Sequence, residues 1–288
     1  MITRIRTKAV ICGDFMHVYA MPVIASPRST RKKRFSPTRE SMTVYNEHRA
    51  EKRLEELAEA NFTDKDYFIT LSYHDKYKPL SDEAAINSIS NYIRRLQYRC
   101  KKEGKPAPVA IWDIEKGEKR GRYHHHLFLK CDLSCDDIGE IWGKGYINTR
   151  HLQFDENGLA GLSEYIQKFK SRVGVRRWHS TNNLKKPIQY ENDRMSRKQF
   201  AELAQDLELS VYFRQHYNDY YLNRDSVKFY RNDINGCDYL YLKLYRKDSQ
   251  YINSYLSSSA RACKLVDYGK KKDSRPKTGR PPNNIKLQ

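Results

Sequence analysis

The chain has 288 residues, 39% of them apolar, which is enough for a buried hydrophobic core. Its 54 Lys and Arg residues outnumber 35 Asp and Glu residues, and the formal net charge of +19 indicates a polyanionic partner, first of all nucleic acid. No apolar run approaches the ~20 residues of a spanning helix, which argues against a membrane protein. Asp14 and His17 interrupt the apolar stretch near the N-terminus, which argues against a secretory signal, so we expect a cytoplasmic protein. The six cysteines are scattered along the chain, and we expect reduced thiols.

Residues 1–60 are predicted to form an N-terminal strand, a basic arm and a helix. Lys8 to Ala20 is an apolar strand candidate. The run from Ser26 to Pro37 is basic and contains proline, which is typical of a loop or arm. A helix is expected from about Thr43 to Ala60.

Residues 61–187 are predicted to form the central domain. The β-rich run from Tyr67 to Tyr73 predicts its first strand. Apolar residues at helical spacing from Ile86 to Cys100, with Gly104 past the end, predict a long helix. The order of elements fits an α+β fold with a central antiparallel sheet of about five strands, backed by helices in the split βαβ, RRM-like manner. The further elements are expected at Val109 to Glu115 (strand), Tyr123 to Lys130 (strand), Ser134 to Trp142 (helix), Tyr146 to Phe154 (strand) and Leu159 to Val173 (helix).

The C-terminal part divides into an α/β extension at residues 188–260 and a basic tail at residues 261–288. Ser196 and Gln199 form a capping box that opens a helix to about Leu207. Tyrosine-rich segments follow, with a hairpin signal at Asn235-Gly236. The tail holds nine Lys or Arg residues against two Asp and almost nothing apolar, so we expect it to be disordered.

Three consecutive histidines in the strand from Tyr123 to Lys130 indicate a metal site. Because strand side chains alternate between faces, His124 and His126 share one face and His125 lies on the other. Glu115, at the end of the neighbouring predicted strand, is the expected third ligand. Asp113 and Glu118 are its substitutes if that strand bends or ends earlier. Two imidazoles and a carboxylate suit Mg²⁺ or Mn²⁺ where phosphates complete the shell, although zinc or ferrous iron would also accept them.

A nucleophile is expected on the helix that follows the last strand of the central domain. Tyr165 and Lys168 lie three residues apart and therefore on one side of that helix. The basic segment after it contains an aromatic residue, which is typical of a groove that follows a nucleic-acid backbone. Its candidate DNA-binding residues are Lys170, Arg172, Arg176, Arg177, Trp178, Lys185 and Lys186, and those of the tail are Lys270, Lys271, Lys272, Arg275 and Arg280.

Three segments, in this order, resemble the motifs of the HUH endonucleases, in particular the rolling-circle replication initiators of small phages and plasmids, with relatives in the filamentous-phage gene II protein and the microvirus initiators. They are Phe68 to Tyr73, His124 to His126 in place of a His-hydrophobic-His motif, and Tyr165 to Lys168. The resemblance extends from about Asn61 to Pro187. The chain departs from the family pattern at His125, where an aliphatic residue is usual, and at Phe169, where dual-tyrosine members have a second tyrosine.

The resemblance implies a single-tyrosine nickase of single-stranded or hairpin origin DNA, with the HUH nuclease fold, a divalent metal at His124, His126 and Glu115, and Tyr165 as nucleophile assisted by Lys168. It implies a 5′-phosphotyrosine intermediate and a free 3′-OH for a host DNA polymerase in a bacterial cell. No P-loop is present in the sequence, so a separate helicase would be the unwinding partner. A single-tyrosine transposase, a mobilisation relaxase, a non-catalytic RRM-like single-strand binder and a zinc hydrolase are the alternatives.

Overall fold

The computed structural model of the protein describes residues 2–24, 40–117, 121–155, 157–167, 178–205, 209–232, 236–249 and 251. These residues form two antiparallel sheets with helices between and outside them, so the predicted α+β class is confirmed. The strands are β1 (Ile2–Cys12), β2 (Phe15–Ile24), β3 (Tyr67–Leu71), β4 (Val109–Trp112), β5 (Glu115–Lys116), β6 (Tyr123–Lys130), β7 (Ile147–His151), β8 (His179–Ser180), β9 (Ile188–Met195), β10 (Tyr220–Asn232) and β11 (Cys237–Arg246). The helices are α1 (Glu40–Glu59), α2 (Asp82–Lys102), α3 (Cys135–Trp142), α4 (Ala160–Gln167), α5 (Arg197–Ala204) and α6 (Leu209–His216).

The central part of the chain forms the histidine sheet, in the order β7-β3-β6-β4-β8 with β5 also paired to β6. Helix α2 connects β3 to β4, and α3 connects β6 to β7. If β3, β4, β6 and β7 are numbered 1 to 4 in chain order, they lie side by side in the order 4-1-3-2. This is the split βαβ arrangement expected from the sequence.

Helices α2 and α3 cover one face of the histidine sheet. The Ser81 side chain caps α2 by accepting a hydrogen bond from the Ala84 N–H, and the buried stripe of the helix packs against the strands. Each fully buried Leu or Ile, such as Ile89 and Leu96, contributes about 1.5–3 kcal/mol through burial. This core fixes β3 and its neighbour β6, and β6 carries the three histidines.

Both ends of the described chain meet in a second sheet, the terminal sheet, in the order β10-β11-β2-β1-β9. The single strand predicted from Lys8 to Ala20 is wrong, because the chain reverses at Gly13, where φ is +60°, and Cys12 pairs with Phe15. A Gly-Asp pair between two apolar runs is the signal for such a two-residue turn. The predicted capping box on α5 and the hairpin that places Gly236 at φ +65° are both present.

Helix α1 lies between the two sheets and presents a different stripe to each. Leu54 and Ala58 are fully buried against the histidine sheet, on the face opposite α2 and α3. Glu55 and Glu59, one position further round the helix, bind Lys243 of β11 in the terminal sheet. Helix α4 packs beside α1. None of the helices described in these ranges is long and apolar enough to cross a membrane.

Candidate functional site

Three rows of side chains run across the α1-α4 face of the histidine sheet. Register places Ile111, Phe128, Phe68 and Arg150 in the first row. The second row contains Asp113, His126 and Thr70. The Asp113 N–H donates to the His126 carbonyl at 3.0 Å, and His126 pairs with Thr70 in the register. Glu115 and His124 are partners in the third row. The strand pleat thus collects acidic and imidazole groups at one end of an otherwise apolar surface.

His126 is the centre of this polar end. Its Nε2 lies 2.8 Å from Oε2 of Glu115, which is its diagonal neighbour on the adjacent strand β5. Its Nδ1 lies 3.2 Å from Oγ1 of Thr70. The ring is stacked on Phe68, with the centroids 6.0 Å apart. Burial lowers the pKa of His126, which favours the neutral imidazole that metal ligation requires.

His125 points to the opposite face, as strand alternation predicts. It is fully buried, its Nε2 lies 2.6 Å from the Tyr73 hydroxyl, and its ring contacts Trp142. Burial lowers the pKa of His125 to about 3. The residue therefore belongs to the α2-α3 core, and it does not face the candidate site.

The structure brings together two of the three predicted metal ligands. His124 is half-buried and lies opposite Glu115 in the register, but its imidazole nitrogens are not within 4.8 Å of both other ligand atoms. The His126 and Glu115 atoms fit a shared ion, because neighbouring ligand atoms on an octahedral cation lie about 3 Å apart at bond lengths of about 2.1 Å. These two side chains thus offer adjacent ligand atoms of a kind that Mg²⁺ or Mn²⁺ accepts, and His124, opposite Glu115 in the register, would have to supply the third. Of the two substitutes, Glu118 lies outside the described residues.

Asp113, the other substitute ligand, is almost completely buried beside His126. Its Oδ1 accepts a hydrogen bond from the His126 backbone N–H at 3.1 Å. Burial raises the pKa of this carboxyl group well above its usual range. Asp113 therefore holds the β6 backbone in place.

Tyr165 of α4 lies over this group. Its ring meets His126 edge-on with the centroids 5.1 Å apart, and it also contacts Phe68 at 6.1 Å. The side chain is 39% exposed, so the phenol can reach a bound molecule. Partial burial raises its pKa, and the charges of Glu115 and Asp113 raise it further. A cation near these carboxylates would oppose that effect and favour the phenolate.

Arg150 is a component of the site that the sequence did not identify. It is exposed on β7, and its guanidinium lies 4.8 Å above the Phe68 ring whose neighbours include His126 and Tyr165. Its positive charge lowers the pKa of Tyr165. The site therefore holds an imidazole, a carboxylate, a phenol and a guanidinium around one buried aromatic ring.

A second group of possible ligands lies between α1 and the terminal sheet. His17, Glu55 and Glu59 each offer one ligand atom within 4.8 Å of the others, and this geometry could hold a metal ion. Lys243, however, already places its ammonium nitrogen 2.9 Å from Glu55 Oε1 and 2.5 Å from Glu59 Oε1. Together with Lys52, which lies 2.7 Å from Glu55, Lys243 balances the two carboxylates, and burial separates the cluster from the Tyr165 surface.

The predicted DNA-binding residues are placed only in part. Trp178 is half-buried and packs against the cluster that contains Phe68 and Phe128. Lys185 and Lys186 are exposed, and the Lys185 backbone is bound by Asn61. Lys168, Lys170, Arg172, Arg176, Arg177, Lys270, Lys271, Lys272, Arg275 and Arg280 lie outside the described residues.

Residues 66–170, just over a third of the chain, match the model of a family described as the replication-associated protein ORF2/gene 2 protein family. No curated protein and no solved structure matches the chain. The matched segment contains strands β3 to β7 of the histidine sheet with the two connecting helices, and it ends beyond Tyr165. The resemblance to replication proteins is thereby confirmed at the level of this family, while the single-tyrosine HUH subclass stays a prediction.

Proposed function

We propose that the protein initiates rolling-circle DNA replication by nicking and rejoining single-stranded or hairpin origin DNA through Tyr165. The observation that carries the proposal is the convergence of Tyr165, His126 and Glu115 on one face of a split βαβ sheet. The match of residues 66–170 to replication-associated proteins supports the same function. The net charge of +19 supports a nucleic-acid substrate.

In the proposed reaction the Tyr165 oxygen attacks the phosphorus of the scissile phosphodiester. The new bond joins the phenolic oxygen to phosphorus and the bond from phosphorus to the 3′-oxygen breaks. The phenol proton leaves to water, and the departing 3′-oxygen takes up a proton. The products are a 5′-phosphotyrosine on Tyr165 and a free 3′-OH, so the energy of the phosphodiester is kept for later rejoining.

His126 and Glu115 would hold a divalent metal, with His124 as the third ligand. Bound there, Mg²⁺ or Mn²⁺ supplies Lewis-acid polarisation of the phosphate. Thr70 holds the His126 ring by its Nδ1, and the Asp113 carboxylate holds the backbone at the same residue. Arg150 would contact a non-bridging phosphate oxygen and stabilise the charge that develops there. Lys168 would assist Tyr165, as the family resemblance implies.

Exposure on the sheet face argues against a non-catalytic RRM-like binder. Such a protein stacks bases on exposed aromatic residues of the sheet. Here Phe68 is 2% exposed and Phe128 is fully buried, because both lie beneath α1 and α4. A transposase or a relaxase would use the same chemistry, and DNA substrates would distinguish them from an initiator.

The test is formation of a covalent protein-DNA adduct. The full chain is incubated with 3′-labelled candidate origin strands and Mn²⁺, then run on a denaturing gel, because the fragment on the 3′ side of the nick is the one that stays on Tyr165. We expect an adduct with the wild type and none with Tyr165→Phe, although the variant binds the same strand with unchanged affinity. Tyr98→Phe is the matched control, because Tyr98 is 70% exposed on α2. An adduct of normal yield with Tyr165→Phe would refute the assignment.

A further inference from the structure

A buried ionic junction joins the terminal sheet to the loop before α4. Lys243, whose side chain is 2% exposed, donates from its ammonium group to the backbone carbonyl of Asn157 at 2.5 Å as well as to Glu59. The same Glu59 oxygen accepts the backbone N–H of Leu159 at 3.0 Å. One lysine and one glutamate thus bind the loop on both sides of Gly158.

The loop passes so close to the junction that only glycine fits at its middle position. Gly158 has φ +69°, and a Cβ built there would collide with Glu59 Oε1 and lie 2.9 Å from Lys243 Nζ. Leu159, the next residue, is fully buried in the core shared by α1 and the histidine sheet. Helix α4 begins one residue later, at Ala160.

Charge keeps the junction intact. Burial by itself would lower the pKa of Lys243, but the two carboxylates of Glu59 and Glu55 outweigh it and raise the pKa. The lysine is therefore charged wherever the carboxylates are, and its Nζ lies 4.8 Å from the centroid of the Phe15 ring. Lys52 neutralises the other oxygen of Glu55 at 2.7 Å. The junction is a group of paired charges within a buried interface.

We propose that Lys243 and Glu59 are positioning residues, through which the terminal sheet sets the start of α4 and holds Tyr165 over His126. The terminal sheet would then be part of the nicking unit, although it lies outside the segment that matches the replication-associated family. The catalytic meaning of this inference rests on the proposed function. The structural part, that the junction fixes α4, does not depend on it.

The first test compares Gly158→Ala with Gly104→Ala. Gly158 has φ +69° and Gly104 has φ +66°, so alanine strains the backbone at both positions. Nothing lies within 4 Å of a Cβ at Gly104, so only Gly158→Ala also collides with Glu59 and Lys243. We expect Gly158→Ala to lower the rate of adduct formation at saturating DNA by about 10- to 100-fold, with unchanged affinity for the strand, since a displacement of about 1 Å has that effect. Hydrogen exchange of peptide 159–167 should rise in Gly158→Ala and not in the control.

The second test removes the junction without burying an unpaired charge. The double variant Glu59→Leu/Lys243→Met replaces the ion pair with apolar side chains of similar size, and Glu55 keeps Lys52. His17 loses its 2.8 Å contact with Glu59 and keeps the Tyr241 hydroxyl at 2.9 Å. Tyr19→Phe is the control, because its hydroxyl binds Glu56 at 2.6 Å in the same interface and does not touch the loop. We expect the double variant to fold, to bind DNA and to show the same loss of rate and protection as Gly158→Ala.

A folded variant with the wild-type adduct rate, or with wild-type exchange in peptide 159–167, would overturn the proposal. Failure of both variants to fold would overturn it as well, because the junction would then be a requirement of the whole fold. If the wild type forms no adduct, the proposed function fails. The exchange measurement alone then decides whether the junction fixes α4.

Discussion

Replacing His125 and His126 separately should damage the protein in different ways. His126→Ala removes the imidazole that lies 2.8 Å from Glu115, so Mn²⁺ affinity should fall by about 10- to 100-fold or more and cleavage should disappear. The fold should persist. His125→Ala instead leaves the buried Tyr73 hydroxyl without its 2.6 Å partner and opens a cavity beside Trp142.

The cost of His125→Ala can be estimated from these contacts. Loss of the hydrogen bond between His125 and the buried Tyr73 hydroxyl costs about 0.5–1.5 kcal/mol, and truncation of a buried ring adds a cavity, so the free energy of unfolding should fall by about 3 kcal/mol. For a chain of this size that lowers Tm by roughly 6–12 °C. Tyr73→Phe should cost less in the His125→Ala background than in the wild type, because the hydrogen bond to His125 is then already lost.

The assays are thermal unfolding, Mn²⁺ titration and adduct formation measured well below the Tm of each variant. At that temperature His125→Ala should retain most of its adduct yield. The reasoning is refuted if His125→Ala abolishes Mn²⁺ binding while Tm is unchanged, or if His126→Ala still cleaves with Mn²⁺.

Three further predictions address charge. Arg150→Met should lower the adduct rate by about 100-fold with little change in Mn²⁺ affinity, whereas Arg94→Met on exposed α2 should leave both unchanged; equal rates for the two would exclude Arg150 from the site. Because burial lowers the folded pKa of His125 to about 3 from 6.5, the unfolded state binds the extra proton, and stability should fall as pH drops from 6.5 towards 3 by up to about 1.4 kcal/mol per unit. Urea unfolding at pH 7, 6 and 5 measures this, and His125→Leu should show a shallower decline; the same slope in both would contradict it. Removal of residues 264–288 should weaken binding to duplex DNA and flatten its dependence on salt, while nicking of a short saturating strand survives; an unchanged salt slope would show that these residues do not touch DNA.

The sequence could predict the elements of the histidine sheet because their signals are local. Strand β6 has the predicted bounds, from Tyr123 to Lys130, and α2 follows its apolar stripe to a C-terminus before Gly104. Side-chain alternation is a property of the extended backbone itself, so the separation of His125 from His126 required no tertiary information. The diagonal contact from Glu115 to His126 follows from the same pleat once β5 and β6 are paired.

Contacts between residues far apart in the chain were decided only by the tertiary structure. Arg150 reaches the Phe68 ring because β7 pairs with β3, a choice among several strands that no local pattern specifies. Strand β9 is exposed along most of its length and carries no apolar alternation, so its place beside β1 was not predicted. In the sequence nothing distinguishes Lys243 from the other Lys and Arg residues of this basic chain. It becomes a buried partner of Glu59 because the two ends of the described chain close one sheet over α1, where a lysine and a glutamate can lie in the interior only as a pair.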